Sequence, residues 1–269
     1  MRRCALVGLL AGAALGLGPP VAQATLVPKR LPRPSEHQTL AITVPAIKAK
    51  SHDNQAANSQ VSSNWSGYLT RAGQFGSAQA TTTVPGANCP LTISGTNGNE
   101  ASFWVGLDGW GSNTVEQNGI AETCDASGFA TYFIWVEEYP WMPSVIQRVN
   151  PGDRILMNTT WNGSIFVYSF YINGTGQGWY YPEACPGACS RVSAEVITED
   201  PGGAVAGGLY LTNYSNATYN GAVVDGARVT SFTNYDSITM YDPAGQVMVQ
   251  PGPYDDSSES FDTPFSNGS

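Results

Sequence analysis

From Val61 onward no stretch of the chain keeps a helical apolar period. Short runs rich in Val, Ile, Thr, Tyr, Phe and Trp are instead separated by Gly, Pro, Asn and Asp, the pattern of strands and turns. Candidate strands are 64–70, 77–84, 101–107, 114–122, 129–139, 153–161, 164–172, 191–200, 204–211, 227–233, 236–241 and 246–250. So many short strands at this spacing imply an all-β fold, either an antiparallel two-sheet β-sandwich or a barrel. The closing PGPYDDSSESFDTPFSNGS is polar and acidic and is expected to be a loose tail.

The chain before Val61 has a different character. Residues 1–24 read as a secretory signal: Arg2 and Arg3, an Ala/Leu/Val/Gly run, then Ala22-Gln23-Ala24 as a small-x-small cleavage site. No later apolar run reaches the roughly 20 residues that a spanning helix needs, so no membrane residence is expected. Residues 25–60 carry Lys29, Arg30, Arg33, Lys48 and Lys50 against Glu36 and Asp53, and read as a basic propeptide or linker ahead of a domain over 61–269. Cys4 lies in the signal, which leaves Cys89, Cys124, Cys185 and Cys189 for an oxidising compartment. Four cysteines allow three pairings. The close spacing in ACPGACS suggests a local Cys185–Cys189 loop, with Cys89 and Cys124 then closing a longer one. Zinc is the competing reading, weakened by the lack of a nearby histidine.

Two absences after Val61 narrow the chemistry. That part has five basic residues against nineteen acidic ones, a formal charge of −14, with no lysine, and both histidines, His37 and His52, precede it. Ser-His-Asp and Cys-His catalysis need an imidazole base, so hydrolysis there would have to use carboxyls. A carboxyl cycling between acid and base works best near its own pKa, which is acidic unless burial raises it. Few ion pairs also leave little to lose when carboxylates protonate, so the composition reads as an adaptation to low pH. Nucleic acid is excluded as a partner, because phosphate binding needs clustered Lys and Arg.

Side chains at i, i+2 and i+4 of a strand share a face. That rule groups Glu195 with Ile197 and Glu199, Phe133 with Trp135, Glu137 and Tyr139, and Ser102 with Trp104, Gly106 and, at the strand end, Asp108. Aromatics interleaved with carboxyls on one face suit a groove that grips an extended chain.

Five blocks extend this reading. NWSGY (64–68), FWVGLDGW (103–110), VEQNG (115–119), WVEEYP (135–140) and AEVITED (194–200) together resemble, in order and spacing, the glutamic peptidases, or eqolisins. The resemblance implies a sandwich of two seven-stranded antiparallel sheets, like that of lectins, in a protein secreted as a precursor that cuts proteins in acid. It also implies a catalytic dyad of Gln117 and Glu199. The amide of Gln117 would donate to the developing oxyanion and help orient the attacking water, and Glu199 would act as general base and then acid. Trp65, Trp104, Asp108, Glu137 and Tyr139 would line the cleft or hold the dyad. One departure stands out, because Phe133 occupies a place where the family has an aspartate. The basic segment would then be the enzyme's own inhibitor, held against acidic residues at neutral pH and released as they protonate.

Two other readings compete. A secreted glycoside hydrolase would use two carboxyls, for example Glu137 and Glu199, and make Gln117 dispensable. A carbohydrate-binding lectin-like sandwich would use the tryptophans without catalysis. Asn64, Asn158, Asn162, Asn173, Asn213 and Asn216 head Asn-x-Ser/Thr sites, glycan acceptors in a host with the machinery. No metal, cofactor or nucleotide site is expected, protein or peptide is the expected substrate, and a monomer is the default.

Overall fold

The computed structural model describes residues 58–89, 99–185, 189–202 and 210–266. The signal, nearly all of the basic segment and most of the strand expected over 204–211 lie outside them. The strands in chain order are β1 (Ser59–Ser62), β2 (Trp65–Arg71), β3 (Ser77–Thr83), β4 (Ala87–Asn88), β5 (Asn99–Asp108), β6 (Val115–Cys124), β7 (Ala130–Tyr139), β8 (Ser144–Arg148), β9 (Arg154–Trp161) and β10 (Phe166–Ile172). They continue with β11 (Gln177–Glu183), β12 (Ser193–Glu199), β13 (Tyr210–Leu211), β14 (Asn213–Tyr214), β15 (Ala217–Val224), β16 (Ala227–Arg228), β17 (Tyr235–Tyr241), β18 (Val247–Val249) and β19 (Phe261–Thr263).

Two sheets pack as the expected sandwich. The larger runs β1-β17-β2-β12-β5-β6-β7-β8, with β13 added beside β5 and β18 beside β17; the smaller runs β11-β10-β9-β3-β15-β16, with β19 beside β15. Most pairs are antiparallel, while the short β1 and β13 join in parallel. Among the described residues no helix is long and apolar enough to cross a membrane.

Burial separates the two sheets. Strands of the smaller sheet alternate buried and part-exposed residues, as Phe166–Ile172 does, the mark of one face on the core and one in water. β5, β6 and β12 do not alternate, being buried on both faces for nearly their whole length. Their inner face joins Phe103, Val105, Ile120 and Val196, beside Ile134 of β7, to the core between the sheets. Their outer face joins a second apolar cluster of Trp65, Leu69, Trp104, Ala121, Phe133, Trp135 and Ile197.

Three expectations need correction. The tail is not loose: β19 pairs with β15, burying Phe261 and Thr263, and Phe261 packs against Tyr68 and Tyr219. Polar composition hid three residues with an apolar and β-branched inward pattern. The strand expected over 227–233 ends at Arg228 and becomes a 3-10 turn over Val229–Ser231. Its first residues instead return on β15 through Asp225-Gly226, both at positive φ, the two-residue hairpin that Asp-Gly favours. Asn64 is buried against Glu199, so it cannot take a glycan in the folded protein.

Both suggested disulfides form, Cys89–Cys124 and Cys185–Cys189. Cys89–Cys124 fastens the segment after β4 to the end of β6 and closes a 35-residue separation. Replacing both cysteines by serine is expected to lower stability by about 3–4 kcal/mol from loop entropy, read as the guanidinium midpoint of the double variant against wild type.

Candidate active site

Strand register lays out the outer face in rows. One row holds Glu195, Gly106, Gln117 and Glu137 on β12, β5, β6 and β7. The next holds Gly67, Ile197, Trp104, Gly119 and Trp135, and a third holds Trp65, Glu199, Ser102, Ala121 and Phe133. Parity therefore grouped the residues correctly. Gln117 and Glu199 share the face but lie two rows apart, with Trp104 in the row between them.

Small residues make room for that indole. A Cβ on Gly119 would lie 2.6 Å from both the Trp104 Cβ and the Phe103 carbonyl oxygen, and one on Gly106 would lie 3.0 Å from the Trp104 ring. Trp104 in turn meets Trp65 edge to face, with centroids 5.0 Å apart. Its indole N–H donates to Glu199 Oε2 at 2.7 Å, and Asn64 Nδ2 donates to Glu199 Oε1 at 3.2 Å. Both carboxyl oxygens thus have a donor.

Gln117 is held from the other side. Its Nε2 donates to Glu137 Oε2 at 2.7 Å, and its Oε1 is buried with no partner. An amide nitrogen carries two hydrogens, so one N–H and the carbonyl oxygen of Gln117 remain uncommitted. No direct hydrogen bond joins Gln117 to Glu199. The charge of Glu199 nevertheless acts on Glu137, although three strands' spacing separates β12 from β7.

This region is closed to solvent. Gln117 is 0% and Glu199 1% exposed, and burial is the first cause of every carboxyl shift here. It raises Glu199 to about 7, helped by Asp200 and opposed by the N–H groups of Trp65, Trp104 and Asn64. The Trp65 indole acts electrostatically without completing a hydrogen bond. Burial and then the Glu199 charge raise Glu137 to about 8, against the Gln117 hydrogen bond. Glu100, buried near Glu199 and Asp200, rises to about 8 as well.

The other expected residues support the edges of this face. Asp108, at φ +67 at the end of β5, accepts the backbone N–H of Arg191 at 2.6 Å and of Val192 at 2.9 Å, which pins the approach to β12. Tyr139 closes β7 beside Val115 and packs on the outer apolar cluster. Phe133 is buried in that cluster opposite Ala121, so this corner is apolar where an aspartate was expected by resemblance. Asn64 escaped notice as a site residue, read as a sequon although it directly precedes Trp65 in the NWSGY block. Among the described residues no cluster of His, Cys, Asp and Glu could hold a metal.

The family profile described as the peptidase A4 family matches residues 63–258. No curated protein matches the chain. Among solved structures, scytalido-glutamic peptidase with a transition state analog inhibitor is similar at 20% identity and a TM-score of 0.61, over 76% of this chain and 98% of that one. The same peptidase with a peptide-based transition state analog gives 21% identity and 0.62 over the same shares. At such identity the structures establish the shared sandwich fold, while the profile spans most of the chain. The chain belongs to the peptidase A4 family, the glutamic peptidases that its five sequence blocks resemble.

Proposed function

We propose that the protein is an exported endopeptidase, active on the acid side of neutrality, in which Gln117 and Glu199 perform the chemistry. The observation that carries this reading is the pattern of free valences on the outer face: Gln117 keeps an unpartnered carbonyl oxygen and a spare N–H on the same face as a carboxyl fixed by two donors. Water, oriented by Gln117 Oε1, adds to the scissile carbonyl carbon as Glu199 takes its proton. The spare N–H of Gln117 stabilises the oxyanion. Glu199 then returns the proton to the amine as the C–N bond breaks. Flanking aromatics and Ile197 would grip the extended chain.

The closed state fits a latent precursor. With the face buried, Glu199 sits at about 7 chiefly through desolvation; opening it to water and substrate relaxes that cause and returns the carboxyl toward the ordinary range, where it can serve as a base in acid. The basic segment is a suitable inhibitor for so acidic a domain.

Hydrolysis of a denatured protein, followed from strongly acidic to neutral pH with fragments identified by mass spectrometry, tests this reading. Cleavage at internal bonds, fastest in acid, is the expected result. Release of sugars from polysaccharides, with denatured protein left intact at every pH, would point to a two-carboxyl glycosidase mechanism instead.

A further inference from the structure

The turn between β1 and β2 is built around the Glu199 carboxyl. Ser62 Oγ accepts the backbone N–H groups of Asn64 at 3.2 Å and Trp65 at 3.0 Å, and donates its own hydrogen to Asn64 Oδ1 at 3.1 Å. That last bond fixes which end of the Asn64 amide is the acceptor. The Nδ2 end is therefore left to donate to Glu199 Oε1 at 3.2 Å. The backbone carbonyl of Asn64 meanwhile accepts the N–H of Asp200 at 2.8 Å, so Asn64 holds the side chain of Glu199 and the main chain of its neighbour together. Ser62 and Asn64 are both buried, and Ser62 ends β1, which is docked in parallel on β17.

We propose that Ser62 and Asn64 form a clamp that sets the orientation of the Glu199 carboxyl, which makes them positioning residues for hydrolysis. The proposal rests on the reading of Glu199 as the reacting base. It also ties β1 to the working site. The sheet begins at Ser59, ahead of the Val61 start expected from composition, so processing that removed β1 would dismantle the clamp.

Of the groups acting on Glu199, burial and the neighbouring Asp200 oppose its ionisation, while its own charge raises Glu137 of β7 and Glu100 of β5. The donors Trp65, Trp104 and Asn64 favour that ionisation. Losing Asn64 therefore removes one of the three donors that favour the charged form against burial and Asp200.

The test is a carboxyl-carbon NMR titration of the full chain with labelled glutamate, Glu199 being assigned by its absence in Glu199→Gln. In Asn64→Ala the Glu199 titration is expected to move up by roughly one pH unit, as for a lost hydrogen bond to a charged group. Its kcat should fall by about tenfold or more, with KM little changed. Ser62→Ala should shift the titration in the same direction, and Ser62→Thr, which keeps the hydroxyl, should return it to the wild-type position. An unmoved Glu199 titration in folded Asn64→Ala overturns the clamp, whatever the activity. Failure of the dyad reading shows elsewhere: Glu199→Gln would cut protein at the wild-type rate.

Discussion

Glu199→Gln is expected to give a folded protein without measurable proteolysis, and Gln117→Ala one slowed in kcat by about 10²–10³-fold, as for the loss of one oxyanion donor. Glutamine is nearly isosteric with glutamate, but both Glu199 oxygens receive N–H donors, from Asn64 and Trp104. The new amide must therefore turn its own NH₂ toward one of them. That clash costs about 1–3 kcal/mol, so melting temperature has to be followed beside activity. Gln117→Ala removes the N–H that meets Glu137 and leaves that carboxyl harder to ionise, since the hydrogen bond is the one cause lowering it. If Gln117→Ala cuts as fast as wild type, Glu137 and Glu199 carry the reaction as a carboxyl pair and the amide is structural.

The second large effect is a loss of the fold as pH rises. Glu100, Glu122, Glu137 and Glu138 are raised from 4.5 to about 8, and Glu116 to about 9, with burial the first cause in each. Glu195 is raised well above its ordinary value for the same reason. Between the unfolded value and the folded one, the native state holds protons that the unfolded chain has released. Each such group therefore contributes full stability below about 4.5 and loses roughly 1.4 kcal/mol per pH unit above it, until its folded value is passed. Several groups acting together rival the whole 5–15 kcal/mol typical of a domain. The melting temperature should accordingly be highest in acid and fall steeply toward pH 8. Glu122→Gln should flatten that fall, because Glu122 is raised by burial alone and both its oxygens lack partners. A melting temperature constant from acid to mild alkali would show these carboxyls to be ionised in the fold. Acid offers little counterweight, since the ion pairs among the described residues are Arg71–Asp236 and the exposed Arg228–Asp256.

Local pattern made most strands legible. β-branched and aromatic runs marked β2, β3, β5, β6, β7, β9 and β10 within a few residues. β8 and β11, the edge strands of their sheets, were missed: β8 is short, and β11, despite Trp179, Tyr180 and Tyr181, carries Pro182, tolerated where no partner needs its N–H. β15 was missed although Asp225-Gly226 after an alternating run is a hairpin signal. Parity paired Glu195 with Glu199 and Glu137 with Trp135 on their own strands, and the motif blocks singled out Gln117 and Glu199. What parity cannot supply is register between strands distant in sequence. The rows that bring Trp104 between Gln117 and Glu199, and the turn that delivers Asn64 to Glu199, depend on β12 inserting between β2 and β5.

An exported protease of the kind proposed would share its medium with copies of itself, and any segment able to lie extended along its site would be food for a neighbour. The polar C-terminal stretch would suit that fate if it hung free. Instead Phe261–Thr263 is hydrogen-bonded along β15, and Asp255 and Ser260 bridge across the preceding loop. Its backbone is already spoken for, so an attacking copy would first have to peel off a strand anchored by Phe261 against three tyrosines. Under the proposed activity, the last strand would double as protection from self-digestion.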